Sequence, residues 1–145
     1  MSKRFNLYVP SELSFHRHFK PLLEQTDLES FEADHHRFGI QRKGNTHLVV
    51  FFEHSLTLEP SQFLQVNHTG RFGMENSQEK ALFEKVFGSQ KEVSVFSIFY
   101  TSRMTPLAWR LLIEIADDPR VLVMDEARHF MPGPDYARDL RELLV

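Results

Sequence analysis

The chain has no cysteine. Disulfides, thiolate zinc centres, iron–sulfur clusters and a cysteine nucleophile are therefore excluded. Long apolar runs are also missing. The longest, Leu48 to Phe52, is the size of a strand and far short of the about 18 residues a membrane helix needs. The opening stretch has Lys3 and Arg4, but Asn6, Tyr8 and Pro10 interrupt it before an apolar core of about 7–15 residues can form, so no signal peptide is expected. The sequon at Asn67 then has no secretory context. Neither charge sign dominates. The formal net charge is −3, with 8 basic and 8 acidic residues in 1–72 and 9 and 12 in 73–145. Neither half is a basic platform for nucleic acid. Phosphate loops of the G-x-x-x-x-G-K-[ST] or G-x-G-x-x-G kind do not occur, nor does G-x-S-x-G.

What is present is an aromatic, globular composition. The 145 residues include 14 phenylalanines and one tryptophan. A chain of this length fits one domain, residues 1–145, and buries roughly 70% of its unfolded surface without a metal or cross-link. No repeat, low-complexity tract or Pro/Gly-rich linker divides it.

Period-two alternation predicts a strand over Phe5–Val9, stopped by Pro10. Ser11 then suits the cap of a helix bearing Leu13, Phe15, Phe19, Leu22 and Leu23, broken near Pro21. Residues 26–34 are polar and acidic and read as loop. Arg37–Arg42 and His47–His54 read as a hairpin turning at Lys43, Gly44 and Asn45. Pro60 opens a turn, Phe63–His68 is a weaker strand, and residues 69–73 are loop. Asn76 with Glu79 has capping-box spacing ahead of a helix whose apolar face is Leu82, Phe83, Val86 and Phe87, with Gly88 as its stop. Glu92–Tyr100 is a strand.

Thr105 and Pro106 start a helix carrying Leu107, Ala108, Leu111, Leu112 and Ile115, which ends at Asp117–Pro119. Val121–Met124 is a short strand. Pro132, Gly133 and Pro134 form a turn, and Asp135 caps a last helix with the stripe Tyr136, Leu140 and Leu143/Leu144. Hairpins followed by alternation predict an α+β domain. Its sheet is mixed and mainly antiparallel, with about five to six strands and about three to four helices packed on it.

Several residues invite chemistry, each against a plainer reading. His16 and His18 are two apart, which on a helix separates them, whereas a helical metal pair needs spacing of about three or four. His35, His36 and His47 sit near acidic residues, where a metal or acid–base site can be imagined, but a solvated loop is the plainer reading and the one favoured here. Asp117 and Asp118 stand at a helix C-terminus, where the dipole disfavours them unless a cation such as Arg110 or Arg120 compensates. Asp125 and Glu126 follow a strand, where catalytic carboxylates often sit, but adjacent strand residues point to opposite faces. Thr101, Ser102 and Arg103 precede a helix and could meet an anion there, although such segments usually only cap.

The C-terminal segment, residues 105–144, has a helix with Trp109, an apolar strand Val121–Met124 ending at Asp125, then Pro132-Gly133 and an amphipathic helix with Tyr136 and Leu140. This arrangement resembles the closing segment of small bacterial immunity proteins that neutralise polymorphic toxins of the contact-dependent inhibition type. The resemblance implies a cytoplasmic, non-catalytic inhibitor that binds a cognate toxin domain. It implies no catalytic residue, cofactor or metal, and neither nucleic acid nor membrane as partner. The acidic excess of the second half suits a basic toxin such as a nuclease, which makes Asp117, Asp118, Asp125 and Glu126 the expected partner-binding residues. Two other readings stay open. One is a small hydrolase in which His35, His36 or His47 meets Glu53, Asp125 or Glu126. The other is an adaptor or homodimer subunit marked by exposed phenylalanines.

Overall fold

The computed structural model describes residues 3–13, 28–34, 37–42, 44, 48–64, 74, 76–101 and 104–143. The elements run β1 (Lys3–Pro10), β2 (Leu28–Asp34), β3 (Arg37–Arg42), β4 (Leu48–Leu58), α1 (Pro60–Phe63), α2 (Ser77–Phe87), β5 (Val93–Tyr100), α3 (Pro106–Ala116), β6 (Leu122–Met124), β7 (Phe130–Pro132) and α4 (Gly133–Leu143). The strands form one sheet in the order β2-β3-β4-β5-β1-β6-β7, and every pairing is antiparallel. The class is α+β.

At the centre β1 pairs with β5 along its whole length, from Lys3 opposite Tyr100 to Pro10 opposite Val93. Both strands are buried on two faces, which their composition permits because apolar residues occupy both alternations. Phe5, Leu7, Val9, Ile98 and Tyr100 face the core under α3 and α4, with Leu111, Leu112, Ile115, Tyr136 and Leu140 packed over them. Tyr8, Val93 and Val95 face the opposite core, made with Phe63, Phe83 and Phe87 from α1 and α2. Phe83 and Phe87 are fully buried with rings 5.0 Å apart, and burial of each contributes about 2–3 kcal/mol relative to exposure.

Strand β4 serves both cores through a bulge between His54 and Leu56. Val50 and Phe52 face α3 and α4, whereas beyond the bulge Leu56 and Leu58 pack on the α2 side. One extra residue exchanges the faces of a strand, and here it lets a single strand cross from one core to the other.

Local signals at the helix ends act as the sequence suggests. Asn76 Oδ1 accepts from the Glu79 amide at 2.9 Å and Asn76 Nδ2 donates to Glu79 Oε1 at 2.9 Å, which holds the first turn of α2. Gly88 is its C-cap. Thr105 Oγ1 accepts from the Ala108 amide at 3.2 Å, with Pro106 beginning α3. Gly44, with φ of 75°, lies between β3 and β4, where a left-handed turn residue is needed.

Several expectations are corrected. The acidic stretch expected to be loop contains β2, which among the described residues is an edge strand paired only with β3. Edges tolerate charged side chains that a central strand would not. Phe63 belongs to α1 rather than to a strand, with Gln62 Oε1 accepting from the Glu59 amide at 2.9 Å. Phe130–Pro132 forms β7, which brings the strands of the sheet to seven among the described residues. The last helix begins at Gly133, which places Asp135 in its first turn instead of at its cap. Residues 14–27, 35–36, 43, 45–47 and 65–73 lie outside the described residues. With them lie the helix expected after Ser11 beyond Leu13, its break at Pro21, most of the hairpin turn and the sequon.

Gly133 is fixed by its surroundings. Its amide donates to the Val121 carbonyl at 2.8 Å, and an added Cβ would overlap the Ala116 carbonyl and press on Val121 at 3.1 Å. Alanine ordinarily favours a helix over glycine by about 1 kcal/mol. At this position Gly133→Ala is expected to destabilise the fold by about 2 kcal/mol or more, measured by urea unfolding. A neutral or stabilising effect would contradict the close approach of α3, β6 and α4.

Candidate functional site

The turn between β6 and β7 is built by Asp125. Its Oδ1 accepts from the amides of Ala127 at 3.0 Å and His129 at 2.7 Å, and its own amide donates to the His129 carbonyl at 2.9 Å. Arg128 takes a left-handed φ of 67°, a conformation uncommon outside glycine, asparagine and aspartate. This closed turn sets the direction of the residue between, Glu126.

Glu126 is exposed, yet its Oε1 accepts two phenolic hydroxyls, from Tyr100 at 2.8 Å and Tyr136 at 2.7 Å. One carboxylate thereby ties the hairpin to the end of β5 and to the first turns of α4. Burial raises the pKa of both phenols above the ordinary value, and the Glu126 carboxylate adds to that by hydrogen bond and by charge. Tyr8, in the other core, is raised chiefly by burial and secondarily by Glu79. No ion pair to Glu126 occurs among the described residues.

Glu126 and Tyr100 stand on the wall of a groove of about 600 Å³ between the end of β5, α3 and α4, which Met104, Trp109, Leu140 and Leu143 also line. The Trp109 ring meets Tyr100 edge-on, with centroids 5.1 Å apart. Past Trp109 the surface continues into a second depression of about 740 Å³ with Pro106, Arg110, Ile113 and Arg141. Met104 and Trp109 line both, so the two form one mostly apolar surface. Leu143, 80% exposed, is the only large hydrophobic so exposed among the described residues. It continues the Tyr136–Leu140 stripe by helical spacing, but the core ends beneath Leu140. Of the two residues expected to end the stripe, Leu143 thus lies at the rim of the groove, and Leu144 lies outside the described residues.

The four expected acidic residues do not form one patch. Asp117 and Asp118 join α3 to β6, whereas Asp125 and Glu126 follow β6, at its opposite end. Asp118 is held by Arg120, with Nη2 at 2.8 Å and Nε at 3.1 Å. Asp117 is held by Arg141 Nη2 at 2.6 Å. The compensating cations at this helix end are therefore Arg120, as the sequence suggested, and Arg141 from α4 in place of Arg110. Asp125 is engaged in its turn. Glu126 alone of the four combines exposure, no cation partner among the described residues and a position on the groove wall.

A separate cleft of about 280 Å³ lies on the other side of Glu126, lined by Arg4, Asn6, Met124, Asp125 and Arg128. The Arg4 guanidinium lies 6.0 Å from the Phe99 ring centroid. Glu53 lines up with Ser97, Asn6 and Met124 across four neighbouring strands, which puts its backbone roughly 14 Å from β6. That separation keeps Glu53 from sharing a pocket with Asp125 or Glu126. His54 Nε2 lies 2.8 Å from Thr57 Oγ1 with its ring against Phe96, and exposed His129 is 3.6 Å from Asp125. Among the described residues no group of three or more histidines and carboxylates is placed to hold a metal. His16, His18, His35, His36, His47, Ser102 and Arg103 lie outside the described residues.

No protein-family model, curated protein or solved structure matches the chain. Among the described residues no helix is long and apolar enough to cross a membrane.

The chain has only three tyrosines, and all three have raised pKa values. Between the unfolded value near 10 and the higher folded values the native state holds more protons than the unfolded state, so stability falls as pH rises. The contribution is complete below pH 10 and is lost above it. Tyrosinate absorbance is expected to appear together with loss of the circular dichroism signal. Ionisation of one or more tyrosines near pH 10 in a protein that remains folded would contradict the placement of their hydroxyls.

Proposed function

We propose that this chain is a non-catalytic binding protein that neutralises a toxin domain in the cytoplasm, and that its contact surface is the groove around Trp109. The observation that carries this reading is the apolar surface bordered by Leu143. A half-buried tryptophan beside an exposed leucine, with a carboxylate at the edge, has the composition of a protein-binding hot spot. Apolar surface left outside the core and rimmed with polar groups marks a place where another molecule excludes water.

The resemblance of residues 105–144 to immunity proteins supports the toxin as the partner, because α3 and α4 supply most of the groove. In this reading the acidic residues act unequally. Glu126 contacts the partner directly. Asp117 bears on the surface through Arg141, which lines the second depression. Asp118 and Asp125 shape the connections on either side of β6.

The test is affinity capture with the tagged chain from its host's lysate, followed by mass spectrometry and repeated with variants. The expected partner is stoichiometric and carries a C-terminal toxin domain. Leu143→Asp leaves the fold intact because the side chain is exposed, and it is expected to weaken capture by about thirtyfold, the effect of a hot-spot residue. Recovery of the chain alone, or a toxin retained equally by Leu143→Asp and Trp109→Ala, would overturn the proposal.

A further inference from the structure

We propose that the wall formed by Trp109, Tyr100 and Glu126 is a receptor for one cationic side chain, an arginine presented by the partner protein. This inference rests on the groove being the contact surface and adds the chemistry that the surface selects.

Three observations carry it. First, the indole, the phenol and the carboxylate are contiguous: Trp109 packs on Tyr100 at 5.1 Å, and the Tyr100 hydroxyl donates to Glu126 at 2.8 Å. Second, the carboxylate is preorganised. Two tyrosine hydroxyls occupy Oε1, so Glu126 is held in one orientation and Oε2 remains to accept a bond. Fixing the acceptor in advance removes much of the side-chain ordering that an ion pair otherwise requires. Third, Glu126 forms no ion pair among the described residues, although Lys3 lines the same groove and Arg4 and Arg128 line the neighbouring cleft. Those cations belong to the same neighbourhood and moderate its negative potential, so the site favours a cation that also gains from the aromatic wall.

A guanidinium does so. It is planar and weakly hydrated, stacks on aromatic faces and donates to a carboxylate at the same time, while its methylenes cover apolar surface such as Met104 and Leu140. An ammonium is more strongly hydrated and gains less from the indole.

The experiment uses the one tryptophan of the chain, Trp109 on the groove wall, as reporter. The full chain is titrated with Nα-acetyl-arginine amide, and separately with Nα-acetyl-citrulline amide, its neutral near-isostere, and Nα-acetyl-glutamate amide. The expected result is a saturable change with the arginine probe in the millimolar range, about tenfold weaker binding of citrulline, and no saturation with glutamate. Glu126→Gln keeps an acceptor for both tyrosines and is expected to retain the melting temperature while losing about tenfold in affinity for the arginine probe. Equal binding of citrulline, an unchanged affinity in folded Glu126→Gln, a preference for the glutamate probe, or no response to any probe would each overturn the cation receptor. None of these outcomes would affect capture of a toxin sensitive to Leu143→Asp, so the two ideas can fail separately.

Discussion

The pairing of β1 with β5 is the constraint on which the other elements depend. Each strand is buried on both faces, so each had to carry two sets of apolar residues in one short segment. Phe5, Leu7 and Val9 point one way while Tyr8 points the other, and β5 divides Ile98 and Tyr100 from Val93 and Val95 in the same manner. A slip of one residue between these strands would exchange the two sets and disrupt both cores together. Polar groups trapped in this centre are paired: Ser97 donates to Asn6 at 3.2 Å and lies 3.0 Å from Ser55, and Ser94 lies 2.8 Å from Thr57. Such bonds contribute little net stability when made but are costly to leave unmade, and they therefore favour one register.

The groove is a consequence of where that central sheet ends. Tyr100 is the last residue of β5, and its hydroxyl emerges beside the β6–β7 turn, where Asp125 has already fixed the position of Glu126. Tyr136 reaches the same oxygen from α4, which can lie close to α3 because Gly133 has no side chain. The site is thus assembled from residues with separate structural duties. The bonds that hold the hairpin to the helix also orient the exposed carboxylate. Trp109 divides its surface between the core and the groove.

Much of the architecture was legible from local chemistry. Asn76 with Glu79, Thr105 with Pro106, and the apolar spacing of both helices mark α2 and α3 closely, because capping and periodicity act within a few residues. Edge strands were less legible. The acidic residues of β2 read as loop because an edge strand need not alternate cleanly, and β7 is too short to show a period. Site residues were read in part. The acidity of Asp117, Asp118, Asp125 and Glu126 is visible in sequence, but their division into separate duties is not, since Arg141 lies 24 residues from Asp117 and Tyr100 lies 26 from Glu126. The exposure of Leu143 was hidden for a related reason. Helical spacing assigns it to the stripe, while only the extent of the sheet shows that the core stops before it.

The end of the molecule bearing α3 and α4 is the proposed face for a partner. Hydrogen–deuterium exchange of the full chain, alone and with the captured partner, tests it most directly. New protection is expected in residues 104–113 and 136–143 and around Glu126, with β2 and β3 unchanged. Protection confined to the β2–β3–β4 half, with the groove exchanging as in the free chain, would contradict it.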